Sequence, residues 1–373
     1  MRRLSSILLW LTLATAMLPA QTTGEGLELF GYFQNQFKFE SDPDTDRERT
    51  TFLLQQLNVF LQRGFTPHWS AFVNTEVVNS FSSSRGWGSL NLQEAWVKYR
   101  FDRRFQFRLG LQIPTFNHLN RIKNRTPLLP YVIRPLVYEA SLEEVVPVDE
   151  FVPGRAFVQA YGVLGDRLKL DYAAFVGNSP NIAGRDLEGQ SGIDTTTAVL
   201  LGGRAGLRIG EFKGGLSLTH DRVNGLVRGD FAIFRTRGQP ELTRYRLGAD
   251  LLYSAGPLTV SGEYIGAFYD EDTLRYRFDK TFLYGTLVWR IGERLQVYAS
   301  YWRTVGYILD SGGLAPENLK RTVESATAGV AFPVNDRVTL KGQFVNLERE
   351  QEHSTRSAPP GFEIASLAVS VFF

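Results

Sequence analysis

The residues of this chain that could do chemistry are charged side chains concentrated between positions 116 and 154. The first half of this stretch is basic (His118, Arg121, Lys123, Arg125, Arg134), and the second half is acidic (Glu139, Glu143, Glu144, Asp149, Glu150). Opposed charges that face each other across a narrow passage create a transverse field that acts on small charged solutes. The alternative is an outer lid with solvated charges. We favour the passage because the apolar residues within 127–133 are suited to packing against a wall.

Catalysis finds little support in the sequence. The four histidines are scattered, and none forms a His-x-x-x-His or His-Glu-x-x-His pair that could hold a metal. Ser217 and His220 are the one close pair that a lipid-hydrolysing barrel could use, but their odd spacing places them on opposite faces of a strand. The sequence therefore predicts neither an enzyme nor a bound metal or cofactor.

The elements that must position these residues are β-strands. Apolar residues recur at every second position in sixteen stretches, which indicates half-buried strands. The breaks between them alternate between seven short ones, most of which contain Gly, Pro, Asn or Asp, and eight long ones. Bacterial barrels have short periplasmic turns and longer outer loops. We predict an all-β fold, a transmembrane antiparallel up-and-down barrel of about sixteen strands whose third outer loop folds inward.

The two ends of the chain agree with an outer-membrane location. Arg2 and Arg3 precede an apolar run that ends at Pro19 and Ala20, which predicts a secretory signal peptide over residues 1–20. The barrel would then occupy 21–373, with a constriction loop at 117–153. The last strand alternates and ends on Phe373, a pattern expected to be recognised by the barrel-assembly machinery.

Composition excludes several other classes. No later stretch has the roughly 18–20 apolar residues of a spanning helix, and cysteine is absent. Removal of residues 1–20 lowers Lys+Arg from 41 to 39 against 39 Asp+Glu, so a neutral chain remains that gives no support for nucleic-acid binding. Aromatic residues cluster near the predicted strand ends, as expected for girdles at the membrane surfaces.

If the apolar strand faces contact lipid, the opposite faces line the lumen. The candidate pore-lining and constriction residues are Arg100, Arg108, His118, Arg121, Lys123, Arg125, Arg134, Arg204, Arg208 and Arg246. Lumen acids are fewer: Glu76, Glu94, Asp171, Asp221, Asp250 and Glu263. This excess of positive charge would attract anions, unless the basic residues are neutralised in pairs, and the sequence leaves both open. The inward face of the last strand, which includes Ile364 and Ala368, is too apolar for a wet lumen and predicts packing against a folded loop or the N-terminal segment.

Four segments resemble the phosphate-selective porin O/P family: 94–99 (EAWVKY), 108–116 (RLGLQIPTF), 153–162 (PGRAFVQAYG) and 172–178 (YAAFVGN). The resemblance implies a sixteen-stranded trimeric channel for small hydrophilic, often anionic, solutes. Phosphate-selective members of that family are expected to cluster lysines at the constriction, whereas the long loop here offers only Lys123.

These observations predict an outer-membrane porin, a passive diffusion channel for small hydrophilic solutes with a preference for anions such as phosphate. Its expected partners are outer-membrane lipid and lipopolysaccharide, small solutes, the barrel-assembly machinery and two further copies in a homotrimer. Three alternatives remain open. One is a structural or adhesive barrel with a blocked lumen, a second is a narrower channel of roughly fourteen strands for hydrophobic substrates, and a third is an enzyme that uses Ser217 and His220.

Overall fold

The structure is a computed structural model. It describes residues 26–42, 47–79, 89–139, 142, 146, 151–179, 196–223, 242–270, 279–309, 318–352 and 361–373. The predicted signal peptide at 1–20 and the acidic residues Glu143, Glu144, Asp149 and Glu150 lie outside the described residues. In the described part of the chain, no helix is long and apolar enough to cross a membrane.

Sixteen strands form one closed antiparallel barrel, as predicted. The first eight are β1 (Leu27–Asp42), β2 (Arg47–Gly64), β3 (Trp69–Asn79), β4 (Ser89–Arg100), β5 (Gln106–Gln112), β6 (Ala156–Leu164), β7 (Lys169–Gly177) and β8 (Leu200–Ile209). The second eight are β9 (Phe212–Val223), β10 (Leu242–Ala255), β11 (Leu258–Tyr269), β12 (Lys280–Ile291), β13 (Leu295–Leu309), β14 (Asn318–Pro333), β15 (Val338–Glu352) and β16 (Phe362–Phe372). Each strand pairs with its neighbours in sequence, and β16 pairs with β1.

The two faces of the wall differ as the alternation predicts. In β10, Arg244 and Arg246 point into the barrel and are fully buried, whereas Tyr245 and Leu247 point outward and are 47% and 42% exposed. A closed ring leaves no strand edge without a hydrogen-bond partner, which the interior of a bilayer requires. Lipid replaces water around the apolar outer face, so these exposed side chains lie in their preferred surroundings.

Seven short connections join the strands at one rim of the barrel, matching the predicted turns. Four of them contain a glycine with positive φ: Gly165, Gly210, Gly256 and Gly292. This backbone conformation is strained for residues with a Cβ atom and ordinary for glycine. The other ends of the strands lie at the opposite rim.

Several strands are longer than the alternation predicted. The pattern indicates that β2 begins near residue 52 and β15 ends near residue 347, but β2 begins at Arg47 and β15 extends to Glu352. In these strand extensions, polar residues occupy successive positions, as in the sequence Arg47, Glu48, Arg49. Backbone pairing continues there without the apolar alternation by which a membrane-embedded strand is recognised.

Aromatic side chains mark the short-turn rim of the outer face. The exposed aromatics there include Phe65, Trp69, Phe101, Tyr253, Trp289, Phe332 and Phe373. Trp69 packs edge-to-face on Tyr99, which packs in the same way on Phe101, with ring centroids 4.7 and 4.6 Å apart. Tyr264, Tyr301 and Phe344 are also exposed, but they lie near the middle of β11, β13 and β15. The cluster at the short-turn rim is typical of an interfacial girdle at one membrane surface.

The terminal residue closes the barrel. Gly31 and Phe373 exchange backbone hydrogen bonds, each with an N···O distance of 3.0 Å. A Cβ atom at Gly31 would lie 2.6 Å from the Phe373 ring and 2.5 Å from the Asn58 carbonyl oxygen. The last ring therefore occupies space that only glycine leaves free.

Gly31→Ala is expected to destabilise the barrel by about 1–3 kcal/mol, because the added methyl group overpacks the seam. The midpoint of urea unfolding, followed by the heat-modifiable shift on gels, measures the change. Gly285→Ala in β12 is the matched control, since no atom lies within 4 Å of a Cβ atom built there. Equal midpoints for the two variants would contradict this role for Gly31.

Residues 113–155 form the longest described connection and contain three short 3₁₀ helices, at Leu119–Arg121, Lys123–Leu128 and Leu136–Tyr138. Their apolar side chains join the hydrophobic core. The segment contributes Phe116, Leu119, Ile133, Leu136, Val137, Tyr138, Leu142, Val146, Phe151 and Val152, and the wall contributes residues that include Phe175, Ile265, Phe282, Trp302, Val345 and Ile364. This packing explains the apolar inward face of the last strand.

Candidate functional site

The connecting segment is hydrogen-bonded to one side of the barrel through β15 and β1. The Oε1 of Gln343 accepts from the backbone N–H groups of Val132 and Ile133 at 2.6 and 2.7 Å, and its Nε2 donates to the Ile133 carbonyl at 2.9 Å. Buried Lys341 donates to the carbonyl oxygens of Thr126 and Tyr131, at 2.9 and 3.2 Å. Because the buried amide of Gln343 and the ammonium of Lys341 find their hydrogen-bond partners in the segment, they hold it in one position.

The same segment is attached to the opposite side through β9 and β11. The Glu263 carboxylate accepts from the Leu119 backbone N–H at 2.6 Å and from the Tyr138 hydroxyl. Ser217 Oγ accepts from the Asn117 backbone N–H at 2.9 Å. In the closed ring β9 is eight strands away from β1 in either direction, so the segment contacts two opposite sides of the wall.

A polar cavity lies between this segment and the inner face of β2–β5. Its volume is about 240 Å³, and its lining residues are Gln62, Phe72, Glu94, Trp96, Lys98, Arg108, Ile113, Thr115, Arg121 and Arg125. Four of these are cations and one is a carboxylate. The side chains of Lys98, Arg108, Arg121 and Arg125 form no ion pair with another described residue. Glu94 accepts a hydrogen bond from the Trp96 indole at 3.2 Å.

Arg108 is held by two aromatic rings. Its guanidinium carbon lies 4.4 Å from the Trp96 ring centroid and 4.8 Å from that of Tyr161. This cation–π arrangement positions the cation without neutralising its charge. We call Lys98, Arg108, Arg121 and Arg125 the cationic cluster.

Three other arginines predicted to line the pore, Arg204, Arg208 and Arg246, are paired with acids of nearby strands. Arg204 binds Asp250 at 2.7 Å and also binds Asp171, which in turn accepts from Arg208 at 2.8 Å. Arg246 and Arg244 share Asp221 at 3.1 and 2.6 Å, and all three side chains are fully buried. These arginines form part of the wall, whereas no described residue forms an ion pair with the cationic cluster.

Asp221→Ala is expected to lower the free energy of unfolding by about 3–5 kcal/mol, because it leaves two buried guanidinium groups without their carboxylate. Urea titration of the folded barrel measures the loss. Asp166→Ala is the control, since Asp166 pairs with Arg103 at an exposed turn and such a pair contributes about 0–1 kcal/mol. A loss at Asp221 no larger than that at Asp166 would contradict the structural role.

The remaining predicted residues have separate positions. Arg134 pairs with Glu139 at 3.2 Å, and its guanidinium also donates to the Lys123 carbonyl. Arg100 lies at the short-turn rim in a groove beside His68 and Asp102. Of the ten predicted residues, the structure brings Arg108, Arg121 and Arg125 together around one cavity.

His118 is partly buried in the segment, and this burial lowers the pKa of its imidazole to about 4. The neutral ring therefore stabilises the fold above the unfolded pKa of 6.5, and this stabilisation is lost as the pH falls from 6.5 toward 4. We expect the histidine NMR signal that disappears in His118→Gln to titrate with a midpoint near pH 4. A midpoint near 6.5 would contradict the buried position.

Sequence reasoning did not identify the aromatic residues of the site. Phe72, Trp96 and Tyr161 lie on inward faces. In β4, Trp96 and Lys98 are two residues apart and share the inward face. An aromatic residue in phase with lumen cations is a signal that could have revealed Trp96. Glu263 and Gln343 were also missed as attachment points, because their partners are more than 120 residues away in sequence.

The structure offers no catalytic geometry at the pair considered above. Ser217 points inward to Asn117, whereas the His220 ring packs on Tyr245 at 5.0 Å on the outer face. Among the described residues, no group of three or more His, Asp or Glu side chains could hold a metal ion.

Comparison with known proteins supports the fold through structure alone. No family model matches the chain, and no curated protein matches its sequence. An anion-selective porin from Comamonas acidovorans superposes with a TM-score of 0.63 at 11% identity, covering 94% of this chain and 100% of that one. The outer membrane channel DcaP of Acinetobacter baumannii gives a TM-score of 0.60 at 13% identity, with 95% and 99% covered.

A third likeness is to OmpF of Salmonella typhi, with a TM-score of 0.60 at 12% identity and coverage of 94% and 98%. At these identities the likeness establishes the fold, that of the outer-membrane porins and channels. A closed sixteen-stranded barrel with this fold and an apolar outer face belongs to the bacterial outer membrane, as predicted.

Proposed function

We propose that the chain is an outer-membrane porin, a passive channel for small hydrophilic solutes that prefers anions. The observation that carries this proposal is the cationic cluster, four cations that pair with no described residue and lie around one cavity lined by a single carboxylate. A water-filled tube with a lower-dielectric wall strengthens the attraction between these charges and a passing anion relative to open water. The anion-selective porin from Comamonas acidovorans shares the fold.

The segment 113–155 acts as the constriction in this proposal. Hydrogen bonds from its described residues to β15 and β11 would hold it across the channel, where Arg121 and Arg125 would face the remaining passage. The cationic cluster would then supply the positive side of the transverse field that the sequence predicts. Its acidic counterpart would be the carboxylates of 139–150, of which Glu139 is described and is paired with Arg134.

Swelling of liposomes that contain the folded chain tests the channel. We expect rapid swelling in isosmotic arabinose, a small neutral sugar, and none in a large dextran, because a size-limited aqueous passage admits only the former. Liposomes that fail to swell in arabinose although the barrel is folded would overturn the channel. That result would favour the structural or adhesive barrel with a blocked lumen.

The identity of the preferred anion and the assembly into a homotrimer are the finer parts of this proposal. Arginines replace the lysines expected for phosphate selectivity, since three of the four members of the cationic cluster are arginines. A guanidinium group binds carboxylates and phosphates in the same bidentate way. The cluster therefore fits both anions, and their discrimination depends on what else lines the cavity.

A further inference from the structure

The inner wall of β1–β4 carries a row of aromatic rings that leads to the cationic cluster. Phe30 lies against Phe60, Phe60 against Phe72, and Phe72 against Trp96, with centroid separations of 5.1, 5.6 and 5.0 Å. Beyond Trp96 the row continues through the Arg108 guanidinium to Tyr161. We call Phe30, Phe60, Phe72 and Trp96 the aromatic row.

The rings of this row stand with their edges toward the lumen. Successive ring planes are within 28° of parallel, and their centroid separations are close to the spacing of about 4.8 Å between neighbouring strands. Near-parallel rings this close cannot lie side by side in one plane, so they are stacked along the wall. The ring faces contact one another, and the ring edges face the cavity.

Ring edges carry partial positive charge, because an aromatic ring is negative over its face and positive around its rim. Phe72 and Trp96 line the cavity directly, beside Arg121 and Arg125 on the opposite segment. The cavity thus combines an apolar, weakly positive wall with unpaired guanidinium groups. The buried Arg108 Nε has no hydrogen-bond partner in the structure.

We propose that this cavity binds aromatic monocarboxylates in preference to phosphate. This inference rests on the proposed porin function and names the solute class of the same site. The carboxylate would pair with Arg121 and Arg125, and the flat face of the solute ring would meet the edges of Phe72 and Trp96 in the favoured edge-to-face arrangement. Phosphate is strongly hydrated, and the ring edges offer no hydrogen bonds to replace the water it would lose.

Block of the chloride current through single channels in planar bilayers tests this proposal. The probes are benzoate, acetate and inorganic phosphate, added separately at equal chloride activity. Benzoate is expected to block at a concentration about tenfold or more below that of acetate, which carries the same carboxylate without the ring. Phosphate is expected to block no better than acetate.

Two variants locate the effect at the rings. Phe72→Leu keeps an apolar side chain and leaves both rings around Arg108 in place, so it is expected to raise the half-blocking concentration of benzoate about 2–10-fold and leave that of acetate unchanged. Trp96→Leu serves as a second variant if the first fails to fold. Trp69→Leu, on the outer face of β3, is the matched control and is expected to change neither value.

The outcomes separate this inference from the function on which it rests. A conducting, anion-preferring channel that benzoate, acetate and phosphate block equally would overturn the inference and leave the porin function standing. The same holds if Phe72→Leu and Trp96→Leu both fold and leave the benzoate block unchanged. A folded barrel that carries no chloride current would overturn the porin function itself, and the inference with it.

Discussion

Replacing Arg121 and Arg125 together by glutamate is expected to turn the proposed anion preference of the channel into a cation preference. Both residues line the cavity beside Arg108 and Lys98, and neither is paired with another described residue. Two unit charges 4 Å apart interact by about 1 kcal/mol even in water, and more strongly near a protein wall. Two charge reversals should therefore lower the chloride-to-potassium permeability ratio about tenfold or more.

The zero-current potential under a potassium chloride gradient measures this ratio directly. Arg167→Glu with Arg337→Glu is the matched control, because it makes the same change in net charge at exposed short turns at the rim. The control channel should keep its anion preference. If the Arg121/Arg125 variant gave the same potential as the wild type, these residues would not face the path of the ions.

Releasing the segment from the wall is expected to raise the conductance. Glu263→Ala with Gln343→Ala removes the acceptor of the Leu119 and Tyr138 hydrogen bonds on one side and the triple contact to Val132 and Ile133 on the other. A sixteen-stranded barrel without a folded segment encloses an open aqueous channel, so we expect single-channel conductance to rise by about twofold or more. Current noise should also rise as the segment moves.

The double change Glu293→Ala with Gln296→Ala controls for the loss of the same two side-chain types. Both residues lie at the short-turn end of β13. This control is expected to conduct like the wild type. A folded Glu263/Gln343 variant with unaltered conductance would mean that the segment does not limit the passage.

Most of the fold could be predicted because the alternation of apolar and polar residues within each strand shows which of its faces contacts lipid. The alternation in β10, with Arg244 and Arg246 between Tyr245 and Leu247, identifies the lipid face without knowledge of any neighbour. Turn glycines such as Gly210 and Gly256 mark the short rim. The closed order of sixteen strands follows from the strand count and the alternation of short and long breaks.

Charge pairing could not be predicted, because it depends on which side chains meet across the barrel. Arg204 is 33 residues from Asp171 and 46 from Asp250, and all three lie on different strands. The pattern correctly placed these residues on the inner face but could not distinguish a neutralised arginine from a free one. Arg121 and Arg125, which pair with no described residue, lie in a segment without any alternation.

The aromatic row was missed for a related reason. Its members come from four strands, and they form a row only once the register aligns Phe30 with Phe60 and Phe72 with Trp96. The apolar inward face of β16, by contrast, was a visible anomaly in the sequence. Its packing partner is the segment that includes Ile133, which folds against Ile364 as part of one hydrophobic core.

Single-channel recording of the wild-type chain in a planar bilayer under a potassium chloride gradient tests the central claim most directly. We predict steady ohmic steps whose zero-current potential is shifted toward the chloride equilibrium potential, because four of the five charged side chains that line the cavity are positive. A potential shifted toward potassium would contradict the assigned role of the cationic cluster. Absence of steps from a folded, heat-modifiable barrel would contradict the channel and favour the structural or adhesive alternative.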